Sequence, residues 1–464
     1  MHIVCDAPIG CFNLVGTAVP DYTDAIPHMA NMTPTVLREQ EITMLGSGGA
    51  VQRTLNNLAE RGISQGKQVI VVSTAPAEQV GSHHTDLLNR IAPGVRFYQS
   101  HSLEEEEWTG RDRCLGWIGD EFKFDAAAQG IEAEPLLVNI IGPTYGCFNS
   151  PSDLHEIKRL VEGVGGKINM VYPYAAKFAD TANLARASVN IQMYEEFGWT
   201  LAEKLGKPVL KAPMGIEPTT QFIRDLARLL GTEAQAEAFI RNEKKTTLAG
   251  VWDLWRGPQG DWFGTMDVGI VAGRTYANGL AYILGQELGM KLRFVAGRPL
   301  TPNDPDNIAV REMLHEKQPA FVFGSINEHI YLSEANAKQT HFIPASFPGP
   351  IVRRALGTPF MGYSGVMYLA QELVNRFYES LFNFLPVETA QNRAEWSGKR
   401  AVTIPWHADA TVHLNELLEG IPFIARISAT RNARTAAEDR ARGRGENEVQ
   451  VLDVDEGFAE TMNR

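Results

Sequence analysis

One pattern narrows the choice of fold more than any other. Short apolar runs alternate with helical stretches, and loops rich in Gly, Pro or Asn separate the two. Leu136 to Ile141 (LLVNII) reads as a buried strand and Gly142 to Ser150 as a loop. Ser150-Pro151-Ser152-Asp153 then reads as a helix start: Ser150 caps, Pro151 takes the first helical position and Asp153 reaches back in a capping box. That helix runs to about Glu162, and Gly163 to Gly166 stop it. Strands follow at Ile168–Tyr172, Val189–Met193 and Val209–Ala212, with helical stretches near Ala175–Arg186 and Glu195–Leu205. Such alternation builds parallel sheets covered on both faces.

The pattern then restarts. Strands are expected at Val268–Ala272, Leu292–Val295, Ala320–Phe323 and His341–Pro344, and helices at Tyr276–Leu288 and Ile308–Glu316. The helix from about Val366 to Phe384 is apolar on more than one side and is therefore buried. The expected fold class is α/β: three stacked Rossmann-like units with parallel sheets, near 1–133, 134–266 and 267–390. A helical tail at 391–464 follows. Its Arg431–Arg442 segment reads as a solvated, cation-rich helix face.

Composition matters here for what it excludes. A formal charge of −12 argues against nucleic acid or an anionic membrane as partner, since both need a basic face. No run approaches the ~18–20 apolar residues of a membrane span, and the start has no basic n-region. A cytoplasmic location is the expectation. Cys5, Cys11, Cys114 and Cys147 are too few for a disulfide framework in 464 residues, and no CxxC pair exists.

Several catalytic signatures are absent. Gly163-Val164-Gly165-Gly166-Lys167-Ile168 lacks both the first glycine and the hydroxyl of a P-loop, so the chain has no such site for ATP. Gly46-Ser47-Gly48-Gly49 reads as turn chemistry. The adjacent His83-His84 read as a loop or surface pair. Ala7-Pro8-Ile9-Gly10-Cys11 reads as the end of a strand turning into a loop. A thiol there either reaches outward to a metal or packs as a small buried apolar group. Cys5, Cys114 and Cys147 read as structural.

The Cys11 stretch resembles the N-terminal cluster-binding strand-loop of nitrogenase-like reductases. Further segments resemble the Z-type core subunits of chlorophyllide a reductases. They are Gly142-Pro143-Thr144-Tyr145-Gly146 with Pro151 to Ile157; Gly206-Lys207-Pro208 through Gly215; Val251 to Arg256; Phe323 to Glu328; Ala345 to Gly349; and Gly357 to Tyr363. They run in order over about Ile3 to Pro386. In that family a further short segment precedes the cluster strand, whereas this chain begins almost on it.

The resemblance implies a nitrogenase molybdenum-iron-protein-like fold and a heterotetrameric core built with a Y-type subunit. A 4Fe–4S cluster would be shared with subunit Y, which supplies three cysteines, while this chain supplies Cys11. A separate homodimeric iron–sulfur ATPase, subunit X, would hydrolyse ATP and dock transiently. Electrons would reduce the C7=C8 bond of ring B of chlorophyllide a. The related protochlorophyllide reductase, the alternative, carries aspartate in place of that cysteine in its B-type subunit. Phe347, Tyr363 and Phe377 are the candidate walls of a pigment slot, or else core aromatics. Glu39 and Glu41 are candidates for docking the ATPase. Asp267, His329 and His407 are of the right type for proton donors, and nothing in their spacing selects one. Rival classes are a cofactor-assembly scaffold and a lone small-molecule-binding protein.

Overall fold

The computed structural model describes residues 1–14, 31–122, 124, 129–144, 146–174, 176–255, 263–337, 339–347, 357–384, 404–419 and 423–462. Of the segments above, Tyr145, Arg256, Pro348 and Gly349 lie outside them. The chain divides into two compact units, Met1–Asp253 with Met266–Leu369, and Leu254–Thr265 with Ala370–Arg464.

The first unit holds three four-stranded sheets. One contains β1 (His2–Asp6), β2 (Met32–Pro34), β3 (Val69–Ser73) and β4 (Arg96–Tyr98); a second contains β5 (Glu134–Ile141), β6 (Lys167–Tyr172), β7 (Ala187–Gln192) and β8 (Val209–Lys211). The third contains β9 (Asp267–Gly273), β10 (Lys291–Arg298), β11 (Phe321–Gly324) and β12 (His341–Pro344). Every pairing is parallel, and the orders are β2-β1-β3-β4, β6-β5-β7-β8 and β10-β9-β11-β12. In each sheet the chain leaves the first strand for one edge and returns on the other side. The crevice beyond the carboxyl ends of the first and third strands is therefore a switch point, where α/β sheets bind ligands.

The strands are apolar runs because both faces are covered. β11 (FVFG) is buried throughout, and β3 (VIVVS) is buried at all but one position. Val4, Val51, Leu55, Val69, Val71 and Leu88 form the core of the first sheet; Val271, Ala296, Val310, Leu314, Val322 and Leu332 form that of the third. Each such Val or Leu side chain stabilises the fold by about 1.5–3 kcal/mol.

Four local expectations need correction. The helix Ser150–Gly163 is preceded by Asn149 in the left-handed region (φ 58°) and has no side-chain cap. Ser150 therefore lies inside the helix, and Asp153 faces the core instead of reaching back. The helix expected from Glu195 starts only at Trp199, because Gly198 takes φ 95°. Phe178–Arg186 winds as a 3₁₀ helix. Residues 9–14, expected as a loop, form a helical turn that opens with Phe12 N–H donating to Pro8 O at 3.1 Å.

The second unit packs the helices Ala408–Glu419, Phe423–Arg444 and Val451–Met462 around Ala410, Leu414, Ala433, Ala437, Ala441 and Val454. The alanine face of Arg431–Arg442 is thus core. On the other face Arg440 pairs with Glu456 and Glu460, and Arg442 with Asp439. No helix among the described residues is long and apolar enough to cross a membrane.

Candidate functional site

The switch point of the first sheet carries Cys11. β1 ends at Asp6, which is fully buried, and its carboxylate is a hub. Thr35 Oγ1 donates to Asp6 Oδ1 at 3.0 Å, Ser47 Oγ donates to Oδ2 at 2.5 Å, and His84 Nε2 lies 2.8 Å from Oδ2. Thr74 Oγ1 donates to the Asp6 carbonyl at 2.6 Å. Ala7 N–H donates to Thr35 Oγ1 at 3.1 Å. From this hub the chain passes through Pro8 into the turn 9–14, where Cys11 is half-buried and free. In the same turn Ile9 is 50% and Leu14 70% exposed.

Cys5 and Cys147 are buried, and Cys114, like Cys11, is half-buried. Burial pushes the Cys5 and Cys114 thiols up to about 11 each and raises that of Cys147. Among the described residues no group of three or more His, Cys, Asp or Glu side chains is placed to hold a metal ion.

A second place lies at the carboxyl ends of β5, β7, β9 and β11, where a cavity of about 680 Å³ opens. Trp108, Phe148, Tyr276 and Phe347 give it aromatic walls. That volume suits an organic molecule of substantial size. Its polar lining includes Glu196, Glu328 and Arg298. Glu196 takes the N–H (3.0 Å) and hydroxyl (2.5 Å) of Thr275, and Glu328 those of Ser325 (2.7 Å each). Burial raises both carboxyls and lowers the Arg298 guanidinium. The buried Tyr194 hydroxyl lies on the same wall, and burial raises it well above the ordinary phenol range. Behind the wall, Asp153 accepts from Phe360 N–H (2.7 Å) and Met361 N–H (3.1 Å) and contacts the Tyr276 hydroxyl. Burial pushes this carboxyl up to about 7, against the pull of the two backbone N–H donors.

With this geometry in hand, likeness to known proteins becomes informative. The model of the nitrogenase component 1 type oxidoreductases matches residues 1–378. The chain belongs to that family. Among named relatives, the B-type subunit of light-independent protochlorophyllide reductase from Heliobacterium modesticaldum is 28% identical over 373 residues, 71% of this chain and 69% of the relative. Its counterpart in Nostoc punctiforme is 24% identical over 486 residues, 95% of this chain and 91% of the relative. The solved structure titled "Nitrogenase Cp1 at pH 6.5" superposes with a TM-score of 0.63 at 14% identity, covering 82% of this chain and 89% of that one. The fold is that of the nitrogenase molybdenum-iron protein, with three parallel-sheet α/β units and a helical C-terminal region.

In this component 1 type chain the residues singled out from sequence are dispersed. Phe347 lines the cavity. Tyr363 does not: it is buried, and its hydroxyl lies 2.7 Å from Thr220 Oγ1, so it is a core residue. Phe377 belongs to the other compact unit, where its ring meets Tyr378 edge-on at 6.4 Å. Asp267 sits at the amino end of β9, away from the cavity end, paired with Arg293 at 2.7 Å. His329 is exposed beside Phe342, and His407 lies in the second unit. Glu39 is exposed, but Glu41 is buried, held by Arg53 and by Arg38 N–H at 2.9 Å; Met44 and Leu45 are the large apolar residues exposed beside it. His83 is exposed as expected, whereas His84 is buried on Asp6.

Asp153, Glu196, Tyr276, Arg298 and Glu328 were not found from sequence. Their partners are up to about 200 positions away, as Asp153 and Phe360 are. One signal was present: the family-like segments containing Asp153 and Phe360 meet in space. Asn149 Nδ2 donates to Thr358 O at 2.6 Å, and Glu156 takes Ser364 N–H at 3.1 Å and Ser364 Oγ–H at 2.9 Å.

Proposed function

We propose that this chain is a catalytic-core subunit of a nitrogenase-like pigment reductase, the Z type of chlorophyllide a reductase. In this reading it reduces the C7=C8 bond of ring B of chlorophyllide a by two electrons and two protons. The observation that carries the reading is Cys11: a half-buried free thiol at a sheet switch point, with Ile9 and Leu14 exposed nearby, in a chain whose described residues hold no complete metal site. One thiol completes a cluster only at an interface with another chain. The donor set therefore fits one corner of a 4Fe–4S cluster shared with a Y-type subunit, and Cys11 would hold it. That group, when bound, supplies one-electron transfer. ATP hydrolysis then belongs to a separate iron–sulfur ATPase, which the missing P-loop here supports.

The chain's own residues do the remaining tasks in this reading. The aromatic wall at Phe347 packs against a flat macrocycle and excludes water. Glu196 and Glu328, both raised by burial, hold protons closer to neutral pH than ordinary carboxyls do. The second reading, the B-type subunit of light-independent protochlorophyllide reductase, is favoured by the names of the relatives above. A thiol where that enzyme is expected to carry a carboxylate favours the first.

The test is substrate choice. The chain is co-purified with its partner subunit and given the ATPase, ATP, dithionite and either pigment. Turnover of chlorophyllide a to a bacteriochlorin supports the chlorophyllide reading; turnover of protochlorophyllide alone replaces it with the second. Cys11→Ala is expected to lose most of the bound iron, whereas Cys11→Asp retains part.

A further inference from the structure

Where the chain leaves β1, the direction of the Cys11 turn is decided within two residues. Pro8 has no N–H to anchor it, so the last tethers before the turn are at Asp6 and Ala7. Those tethers form one buried network. Asp6 accepts from Thr35 and Ser47 and pairs with His84; Thr35 in turn accepts from Ala7 N–H; Thr74 holds the Asp6 carbonyl. Leu37 N–H adds a bond to the Ala7 carbonyl at 3.1 Å.

The network's members come from four places in sequence: the segment after β2, the start of the helix Gly48–Glu60, the segment after β3, and His84, the residue before the helix Thr85–Ile91. The His84 ring is fixed a second time, by Phe97 of β4 set edge-on at 5.3 Å, and by Ser47 Oγ at 2.9 Å from its Nε2. Asp6 is 0% and His84 4% exposed. A carboxylate so deep is costly unless it is paired and fully bonded. The fold places this buried network at the base of the turn that carries the half-buried Cys11.

We propose that the Asp6–His84 pair is the positioning device of the Cys11 turn: it sets where the thiol points and, through that, the surroundings of whatever the thiol binds. Its bearing on a cluster rests on the reading that Cys11 is a ligand; its effect on the thiol does not.

The test therefore has two readouts. In the full chain alone, the rate at which iodoacetamide modifies Cys11 is followed by peptide mass spectrometry in wild type, His84→Leu, His84→Gln and Asp6→Asn. Asp112→Asn is the matched control: another buried carboxylate with three donors (Gly198 N–H, Thr200 N–H and Thr200 Oγ–H), in a different part of the unit. His84→Leu and Asp6→Asn are expected to change the Cys11 rate about tenfold, the size expected when a charge-assisted hydrogen bond is lost. His84→Gln, which keeps a donor, should restore it. Asp112→Asn should lower the melting temperature and leave the Cys11 rate alone. In the reconstituted complex, His84→Leu should also shift the midpoint potential or electron paramagnetic resonance signal of the bound iron, and Asp112→Asn should not.

Cys11 rates equal in wild type, His84→Leu and Asp6→Asn overturn the proposal whatever the melting temperatures. If His84→Leu does not fold, Thr35→Val removes the single hydroxyl that links Asp6 Oδ1 to Ala7 N–H and takes its place. A wild-type complex without iron, together with rates that respond, would sink the cluster reading and leave the positioning role standing.

Discussion

At the scale of single residues, Asp153 shows how a proton can be part of a fold. The Tyr276 hydroxyl lies 2.6 Å from the Phe148 carbonyl and also contacts Asp153 Oδ2. A hydroxyl has one hydrogen, and the carbonyl can only accept. Both contacts are satisfied when Asp153 carries a proton and donates to Tyr276, which donates on to Phe148. The carboxyl's rise to about 7 through burial agrees. Because the folded value lies above the ordinary 3.8, this group's stabilisation is full below about pH 4 and is lost as pH rises to about 7. The loss is on the order of a few kcal/mol. Asp153→Asn mimics the protonated form and should flatten that slope; urea unfolding of wild type and variant at pH 5 and 7.5 reads it directly. An unchanged slope would mean that Asp153 is ionised throughout. None of this was visible in the sequence, where Ser-x-x-Asp spacing suggests a capping box. The left-handed Asn149 displaces the helix start and turns Asp153 inward. His84 was hidden for a similar reason, since its partner stands 78 positions earlier.

At the scale of elements, much was legible. Apolar runs located β5 to β12, most clearly the central strands β9 and β11, which are covered on both faces and leave no alternation to misread. Less legible were the turns that glycine or asparagine redirect. Gly362 is the sharpest case. It opens the long helix Gly362–Phe384 with φ 69°, and a Cβ there would lie 2.5 Å from Glu156 Oε1. Glu156 is itself held by Arg159 at 2.7 Å and by Ser364. Gly362→Ala should destabilise the chain by more than about 1 kcal/mol, combining positive φ with loss of that contact; thermal melting compared with Gly443→Ala, where no atom lies within 4 Å of the added Cβ, isolates the effect. In the second unit, Gly457 approaches the neighbouring helix so closely that a Cβ would lie 2.8 Å from Ala437 N. Gly457→Leu should therefore disrupt the packing of that unit, seen as early proteolysis within residues 404–462.

For the whole molecule, three sheets of one topology place their carboxyl ends where chemistry is expected. The first presents Cys11 above the Asp6 hub, and the second and third share the cavity with Phe347 on its wall. The α/β class was legible because the alternation repeats along the chain. The candidate site was legible only at Cys11 and Phe347, since the other cavity groups gain meaning from neighbours far off in sequence. If the cavity takes the pigment, Phe347→Ala should weaken binding about tenfold by removing aromatic contact area, measured by pigment absorbance titration of the assembled complex. An unchanged affinity would place the pigment elsewhere. The central claim, however, is that this chain completes a redox group it cannot hold alone. The most direct test is iron per complex after co-purification with the partner subunit, wild type against Cys11→Ala. The account predicts iron in the first and most of it missing from the second. Equal iron in both would remove Cys11 from the ligand set and with it the basis of the proposed function.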